Sequence, residues 1–318
     1  MQNMSATLPH PLPPLEALER RSPGHLKGRS LLRIADWSAD DLLAVLDLAA
    51  DLKAAQARFE PHPLLPGRTV GMIFDKPSTR TRVSFEVGVA QLGGAALYLA
   101  GRDLQLGRGE TIRDTAKVLS RYLNAIVIRI SSQATVDELA AEADIPVVNA
   151  LTDLAHPCQA LADVLTIRER LGRLEGVRIA WLGDGNNVCA SLLEASLALG
   201  ASPVVACPPG YEPAVAGVEI VRDPAEAVVG ADVVVTDVWT SMGFEEEAEQ
   251  RKADLGPYAL DEALFAQAPP GAFAMHCLPA HYGEEISEAI AHGPRSAVWD
   301  EAENRLHVQK ALLALIVS

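Results

Sequence analysis

Short apolar segments alternate with helical segments along most of this chain, and this alternation limits the folds that are open to it. Apolar runs with β-branched members predict buried strands, and apolar spacings of three and four residues predict helices. Strands that alternate with helices form parallel sheets covered on both faces, so we predict an α/β fold. The predicted strands cover residues 69–74, 95–99, 125–130, 177–182, 203–207, 232–236 and 273–276, and the main predicted helices cover residues 39–57, 79–92, 111–123, 156–171 and 189–199.

The length of the chain predicts two domains. At about 150 residues per domain, the 318 residues make roughly two units, and the helical stretch 156–171 lies midway and can join them. We predict two doubly wound domains, each a parallel sheet covered by helices, with the active site in the cleft between them. The expected divisions are a flexible N-terminal extension (1–24), a first domain (25–155) completed by a C-terminal helix (304–318), and a second domain (156–303).

The charge and the cysteines of the chain exclude several classes of partner. With 27 basic and 42 acidic side chains the net charge is −15, whereas nucleic acids and anionic membranes require a cationic surface. The four cysteines form no Cys-x-x-Cys pair, which indicates a reducing compartment and no structural zinc site. No apolar run approaches the ~20 residues of a membrane span. The proline-rich start contains Glu16 and Glu19 and no apolar signal core, so we expect a cytoplasmic protein.

Hydroxyl and guanidinium groups cluster where the strand at 69–74 gives way to a helix. Ser78, Thr79, Arg80 and Thr81 follow one another there. The free N–H groups and the dipole of a helix start attract anions, and arginine binds phosphate oxygens in a bidentate manner. The junction is therefore a candidate anion site, and the alternative is a capped helix with solvated arginines.

Further along the chain, three polar residues suit a related role. Arg129 ends an apolar strand, so it is expected at the carboxyl edge of the sheet, where open α/β folds bind ligands. His156 and Gln159 lie three residues apart at a helix start, and an imidazole and an amide can polarise a carbonyl group. Two of these residues have an alternative interpretation. Arg129 could be an ordinary charged residue in solvent, and His156 could have a purely structural role.

Polar residues also follow the predicted strands of the second domain. The turn at 183–187 (GDGNN) lacks the full Gly-x-Gly-x-x-Gly of a dinucleotide site, and its Asn187 offers an amide to a carboxylate. Asp237 suits a cationic ligand. Cys277 is a candidate nucleophile, a hydrogen-bonding group or a small buried residue. Arg305, expected near the start of the terminal helix, either adds positive charge to the anion site or faces solvent.

Six motifs follow one another along the chain, at residues 74–82 (FDKPSTRTR), 156–159 (HPCQ), 183–187 (GDGNN), 237–243 (DVWTSMG), 276–279 (HCLP) and 303–305 (ENR). Taken together and in this order, they resemble those of the ornithine carbamoyltransferases, within the aspartate/ornithine carbamoyltransferase superfamily. The resemblance runs from about residue 25 to the C-terminus. The first two motifs are shared with aspartate carbamoyltransferases, whereas Asp-x-x-x-Ser-Met-Gly and His-Cys-Leu-Pro mark ornithine as the second substrate.

The resemblance implies a role for each matched position. It implies that carbamoyl phosphate is bound by Ser78, Thr79, Arg80, Thr81, Gln105, Arg129, His156, Gln159 and Arg305, with Gln105 reaching in from a neighbouring subunit. It implies that ornithine is bound by Asn187, Asp237, Ser241, Met242, Cys277 and Leu278. The residues expected to act in catalysis are Arg80, Arg129, His156 and Cys277. Thr81, Arg129 and His156 are expected to stabilise an oxyanion, with Gln159 as a further candidate.

The implied reaction transfers the carbamoyl group of carbamoyl phosphate to the δ-amine of L-ornithine, giving L-citrulline and phosphate, as in arginine biosynthesis. We expect no cofactor and no metal, and a homotrimer or a multiple of trimers. The rival interpretations are a sister enzyme acting on aspartate, an acylated ornithine or putrescine, a dinucleotide-dependent oxidoreductase, and a non-catalytic binder. The direction of the reaction stays open, as does whether Cys277 acts as a base or only lines the site.

Overall fold

Two all-parallel β-sheets form the framework of the protein. The computed structural model describes residues 24–75, 78–101, 109–240 and 247–317. In these ranges the strands are β1 (Thr69–Phe74), β2 (Ala95–Ala100), β3 (Ala125–Arg129), β4 (Val147–Leu151), β5 (Arg178–Leu182), β6 (Ser202–Ala206), β7 (Glu219–Val221), β8 (Val233–Thr236) and β9 (Phe273–His276). The α-helices are α1 (Ala39–Ala57), α2 (Thr79–Gln91), α3 (Ile112–Tyr122), α4 (Gln133–Glu142), α5 (Pro157–Leu171), α6 (Asn187–Ala198), α7 (Pro224–Val228), α8 (Ala248–Leu255), α9 (Glu262–Phe265), α10 (Glu288–Ala291) and α11 (Val298–Val317).

The order of the strands determines where a ligand can bind. The first sheet runs β2-β1-β3-β4 and the second runs β7-β6-β5-β8-β9. Strand order reverses between β1 and β3 in the first sheet and between β5 and β8 in the second, and open α/β sheets bind ligands at the carboxyl end of such a point. Phe74 pairs with Arg129 at the first reversal, and Leu182 pairs with Thr236 at the second. The polar motifs found in the sequence follow these strand ends.

The burial of the strands agrees with the predicted fold class. Every residue of β3, β8 and β9 is buried, as expected for parallel sheets covered by helices on both faces. The predicted fold, two parallel sheets each flanked by helices, is confirmed. Helix α1 begins with a capping box in which the Ser38 hydroxyl accepts a hydrogen bond from the Asp41 N–H.

Two helices connect the sheets. Helix α5 leads from β4 in the first sheet to β5 in the second, and α11 packs against α1, α2 and α5. Just before α11, Ala297 N–H donates to Ala274 O of β9 at 2.8 Å. Near the other end of α11, Ile316 O accepts from Gly28 N–H at 2.8 Å. Helix α11 therefore reaches from the second sheet back to the first.

The structure corrects some of the expected bounds. The terminal helix begins at Val298 instead of residue 304, so Arg305 lies about two turns inside this helix and not at its start. Helix α4 and strands β4 and β7 are among the elements that were not predicted, and in β4 Asn149 interrupts the apolar run. The expected N-terminal extension lies, up to residue 23, outside the described residues. None of the helices in the described ranges is long and apolar enough to cross a membrane.

Candidate active site

A cavity of about 750 Å³ opens between the carboxyl ends of the two sheets. Residues from the strand ends of both sheets line it, as the strand order predicts. The predicted site residues that line the cavity are Ser78, Thr79, Arg80, Thr81, Arg129, His156, Gln159, Asn187, Asp237, Cys277, Leu278 and Arg305. The other three predicted residues, Gln105, Ser241 and Met242, lie outside the described residues.

One wall of the cavity is the start of α2. Ser78 is the N-cap, and its side chain makes no cap hydrogen bond within the described part of the chain. The free N–H groups of the first turn therefore remain for a ligand, and the helix dipole adds positive potential there. Thr81 is 1% exposed, and its hydroxyl accepts a hydrogen bond from Arg305 Nη2 at 2.7 Å. An anionic group fits this wall.

Three arginine side chains meet at the same wall. Arg80, Arg129 and Arg305 line the cavity, and the last two are buried. Burial lowers the pKa of Arg129 to about 10, and the positive charges of Arg305 and Arg80 act in the same direction. Among the described residues, Nε of Arg129 and Nε of Arg305 have no hydrogen-bond partner. Because buried donors without a partner are costly, an anion that accepts from them would stabilise this cluster.

His156 presents a neutral ring at the start of α5. Its backbone N–H donates to Ser191 Oγ at 2.8 Å, and its buried Nδ1 has no hydrogen-bond partner in the described ranges. Burial, followed by the charges of Arg305 and Arg129, holds the pKa of the imidazole well below its usual range. A neutral imidazole keeps one N–H, which can donate to a carbonyl oxygen without bringing a further charge.

The amide of Gln159 is held by its neighbours. Nε2 donates to Asp163 Oδ1 at 2.8 Å and to Glu301 Oε1 at 2.9 Å, while Oε1 accepts from Arg305 Nη1. Both amide hydrogens are thus used inside the protein, and Gln159 offers the cavity only its oxygen. Gln159 is therefore suited to accept from an N–H group of a ligand, whereas its predicted candidate role was to donate to an oxyanion.

Asp237 is a carboxylate on the side of the cavity formed by the second sheet. Arg251 and Lys252 also line the cavity, and each is paired with a carboxylate. Asp237 follows β8 and is 6% exposed. Its Oδ2 accepts from Asn186 Nδ2 at 2.8 Å, and its Oδ1 accepts from the Cys277 thiol at 3.0 Å. Both donors are neutral, so they orient the carboxylate without cancelling its charge. A cationic group of a ligand fits this end.

Asn186 is a site residue that the sequence analysis missed, because it selected Asn187 from the same turn. Asn187 does line the cavity, and its Nδ2 donates to Thr152 O at 2.6 Å. Asn186 caps α6 and also holds Asp237, which lies 51 positions away. Its preference for helix N-caps was a usable signal, but the second contact depends on the tertiary fold.

The glycine-rich turn before α6 packs against its own chain. Gly183 has a φ of +107°, and a Cβ on Gly185 would overlap the backbone of Tyr211 and Pro213. The N–H of Gly185 donates to Tyr211 O at 2.8 Å. The two glycines thus serve a tight turn and a close chain contact, which disfavours the dinucleotide interpretation.

The turn after β9 contributes Cys277 and Leu278. Leu278 has a φ of 60°, and its N–H donates to His276 Nδ1 at 2.9 Å. The other ring nitrogen of His276 therefore carries the hydrogen and donates to buried Glu285 Oε1 at 3.1 Å. Burial and the negative charge of Asp237 raise the pKa of the Cys277 thiol well above its usual value. Cys277 could act as a base only if its pKa were lowered, and its pKa is raised instead.

One group of side chains near this turn has the composition of a metal site. Ligand atoms of Asp237, His276 and Cys277 lie within 4.8 Å of one another. These atoms are already used, because the Cys277 thiol donates to Asp237 and both ring nitrogens of His276 are hydrogen-bonded. The hydrogen bonds account for the grouping without an ion.

Family models match both halves of the chain. The carbamoyl-P binding domain of aspartate/ornithine carbamoyltransferase matches residues 29–169. The Asp/Orn binding domain of the same family matches residues 175–316. The two matches cover both sheets and both ends of the cavity.

Named relatives are similar along almost the whole chain. An ornithine carbamoyltransferase from Pyrococcus abyssi is 52% identical over 306 residues, which cover 92% of this chain and 96% of that protein. An anabolic ornithine carbamoyltransferase from Pyrococcus furiosus is 51% identical, with 92% and 97% covered. A solved structure of the ornithine carbamoyltransferase from Pyrococcus furiosus has a TM-score of 0.88 at 51% identity, with 92% of this chain and 98% of that chain covered. The chain belongs to the aspartate/ornithine carbamoyltransferase family.

Proposed function

We propose that the protein is an ornithine carbamoyltransferase, which transfers the carbamoyl group of carbamoyl phosphate to the δ-amine of L-ornithine and releases L-citrulline and phosphate. The observation that carries this proposal is one cavity with three arginines at one end and the carboxylate of Asp237 at the other. A dianionic carbamoyl donor matches the first end, and a diamino acid matches the second. The names of the relatives agree with this substrate pair.

Carbamoyl phosphate is bound at the α2 end in this proposal. Ser78, Thr79, Arg80 and Thr81 hold the phosphate with Arg129, and Arg305 closes on the same group. The neutral His156 ring donates to the carbamoyl oxygen, and Gln159 Oε1 accepts from the carbamoyl NH₂. The unpartnered Nε atoms of Arg129 and Arg305 support this arrangement, because they supply donors that the described residues do not use.

Ornithine occupies the opposite end. Asp237 pairs with the α-ammonium group, and Asn187 meets the α-carboxylate together with Ser241 and Met242. Cys277 and Leu278 line the path of the δ-amine towards the carbamoyl carbon. The neutral donors on Asp237 support this assignment, because they leave its charge for the substrate.

The chemistry is direct acyl transfer. The neutral δ-amine attacks the carbonyl carbon, a C–N bond forms, and the charge moves to the carbonyl oxygen. The C–O bond to phosphate then breaks, and a nitrogen proton passes to a phosphate oxygen. Thr81, Arg129 and His156 stabilise the oxyanion, and Arg80 stabilises the departing phosphate. Holding both substrates in one cavity contributes several kcal/mol more.

The assembly, the division into domains and the location complete the proposal. We propose a homotrimer, or a multiple of trimers, in which Gln105 of a neighbour completes the site, in the cytoplasm. Exposed Val83, Val87 and Leu97, on α2 and the edge strand β2, support an interface at this side. The packing of α11 on α1 and α2 supports its inclusion in the first domain.

The direct test is citrulline formation from carbamoyl phosphate and four amines. We expect turnover with L-ornithine and little with aspartate, N-acetylornithine or putrescine. Asp237 repels aspartate, acetylation removes the ammonium that Asp237 binds, and putrescine lacks the carboxylate. Preference for another amine would move the protein to a sister activity. Turnover with none, together with fluorescence changes on adding NADH, would favour an oxidoreductase.

A further inference from the structure

Two carboxyl groups are buried together next to the cavity. Asp163 on α5 and Glu301 on α11 are each 1% exposed, and neither lines the cavity. Each lies one helical turn from a residue that does, Gln159 on α5 and Arg305 on α11. Because α5 and α11 pack against each other, the four side chains form one cluster, which we call the carboxyl cluster.

Hydrogen bonds connect every member of the carboxyl cluster. Gln159 Nε2 donates to Asp163 Oδ1 at 2.8 Å and to Glu301 Oε1 at 2.9 Å. Asp163 and Glu301 also hydrogen-bond each other, and Arg305 donates to Gln159 Oε1. The second oxygen of Glu301 accepts from the His276 N–H at 2.9 Å, just before the Cys277 turn. The cluster thus joins both ends of the cavity.

The two carboxyl groups carry one proton between them. Two carboxylates in contact inside a dry interior repel each other, so one of them stays neutral. Burial raises the pKa of both groups, and the charge of Asp163 raises the pKa of Glu301 further. One carboxyl group therefore donates to the other, and the remaining negative charge compensates the buried Arg305 cation.

Resting on the proposed carbamoyl transfer, we propose that Asp163 and Glu301 are positioning residues, which fix the amide of Gln159 so that its oxygen faces the carbamoyl NH₂. A flipped amide would set its oxygen against the Asp163 carboxylate and its NH₂ against the Arg305 guanidinium. The fixed acceptor favours a ligand with an N–H group at this place. It selects carbamoyl phosphate over acetyl phosphate, which carries a methyl group there.

Two amide variants separate positioning from general support of the fold. In Glu301→Gln the new nitrogen donates to Asp163 but cannot accept from Gln159, so the Gln159 amide loses a partner. In Asp163→Asn the new nitrogen donates to Glu301, which then carries the single negative charge, so both the contacts and the charge are kept. For carbamoyl phosphate we expect kcat/KM to fall about tenfold in E301Q and less than about threefold in D163N.

The Ki of acetyl phosphate separates a general structural defect from a misplaced Gln159 amide. A structural defect would change this Ki, whereas a misplaced Gln159 amide would not. Used as a competitive inhibitor, it reports on the phosphate wall alone, and its Ki should change by less than about twofold in both variants. Glu169→Gln is the matched control, because it changes a carboxylate to an amide on the same helix at a residue that contacts Lys53 and Asn304. Its kinetics should match those of the wild type.

Three outcomes would overturn the proposal. They are equal losses in E301Q and D163N, a rise in the Ki of acetyl phosphate that parallels the loss in kcat/KM, and unchanged kinetics in E301Q. Circular dichroism checks the fold, and if E301Q does not fold, a loss of tenfold or more in D163N overturns the proposal. If the wild type itself forms no citrulline, the proposed function fails first, and the positioning role falls with it.

Discussion

The two ends of the cavity hold their polar groups in opposite ways. At the α2 end, Nε of Arg129 and of Arg305 lack partners among the described residues, and three cations share one wall. At the other end, Asp237 already accepts from Asn186 and Cys277. One end is therefore incomplete until an anion arrives, whereas the other is assembled in advance for a cation. The difference predicts distinct kinetic effects for changes at each end.

The largest effect is expected at the incomplete end. In the proposed complex Arg129 is a buried donor to both the phosphate and the oxyanion, so in Arg129→Met we expect kcat to fall about 10²–10³-fold. The measurement is citrulline formation at saturating substrates. Arg121→Met, on the exposed end of α3, is the matched control and should keep the wild-type rate. A loss of less than tenfold would mean that Arg129 does not meet the reacting group.

A smaller and more selective effect is expected at the assembled end. Asp237→Asn removes the charge that we propose pairs with the α-ammonium, so KM for ornithine should rise about 10–100-fold. KM for carbamoyl phosphate should stay close to its original value, because the other end is untouched. If both KM values rise together, Asp237 does not act on ornithine alone. It would then maintain the structure of the whole cavity.

The comparison also predicts an order of binding. With no anion at the α2 end, its cations repel the δ-ammonium of ornithine, and a bound dianion reverses that field. Saturating inorganic phosphate should therefore raise the affinity for ornithine about tenfold in equilibrium dialysis. Sodium chloride at equal ionic strength is the control. Equal affinities with and without phosphate would show that the two ends are independent.

The smallest effect is expected from Cys277→Ser. A hydroxyl still donates to Asp237, so kcat should fall by less than about tenfold. The rate should rise from pH 7 to pH 9 in both forms, because an alkyl amine with a pKa near ~10.4 becomes neutral more often as pH increases. Since the Cys277 pKa is raised, the thiol stays protonated over this range and adds no step of its own. If the rate of the serine variant did not change between pH 7 and pH 9, while that of the wild type rose, Cys277 would be identified as the base.

The sequence predicts best those elements whose cause is local. The strand at Thr69–Phe74 is a continuous apolar run that ends at a breaker, and the structure has the predicted bounds. The predicted start of helix α11 was too late in the chain, because Asp300 and Glu301 in its first turn resemble residues of a polar loop. Strand β7 has three residues and an exposed edge position, so it has little apolar signal. The boundaries between the domains stay a prediction.

The residues of the candidate site also fall into those that local sequence predicts and those that it does not. Arg129 is the last residue of β3 and Asp237 directly follows β8, so topology alone indicates that both reach the cleft. Asp163 and Glu301 give no such signal, because each owes its role to a partner far away in the chain, as in the contact of Gln159 with Glu301 across 142 positions. The individual roles of all these side chains remain predictions until the variants are measured.

The path of α11 has a consequence for how the protein forms on the ribosome. The strands of the second sheet and their connections lie in one continuous stretch, from β5 to β9, and can fold as soon as that stretch has emerged. The first sheet is made earlier, yet α1 and α2 receive their covering helix only when residues 298–317 have been synthesised. During translation, the half that is made first is therefore the half that is finished last.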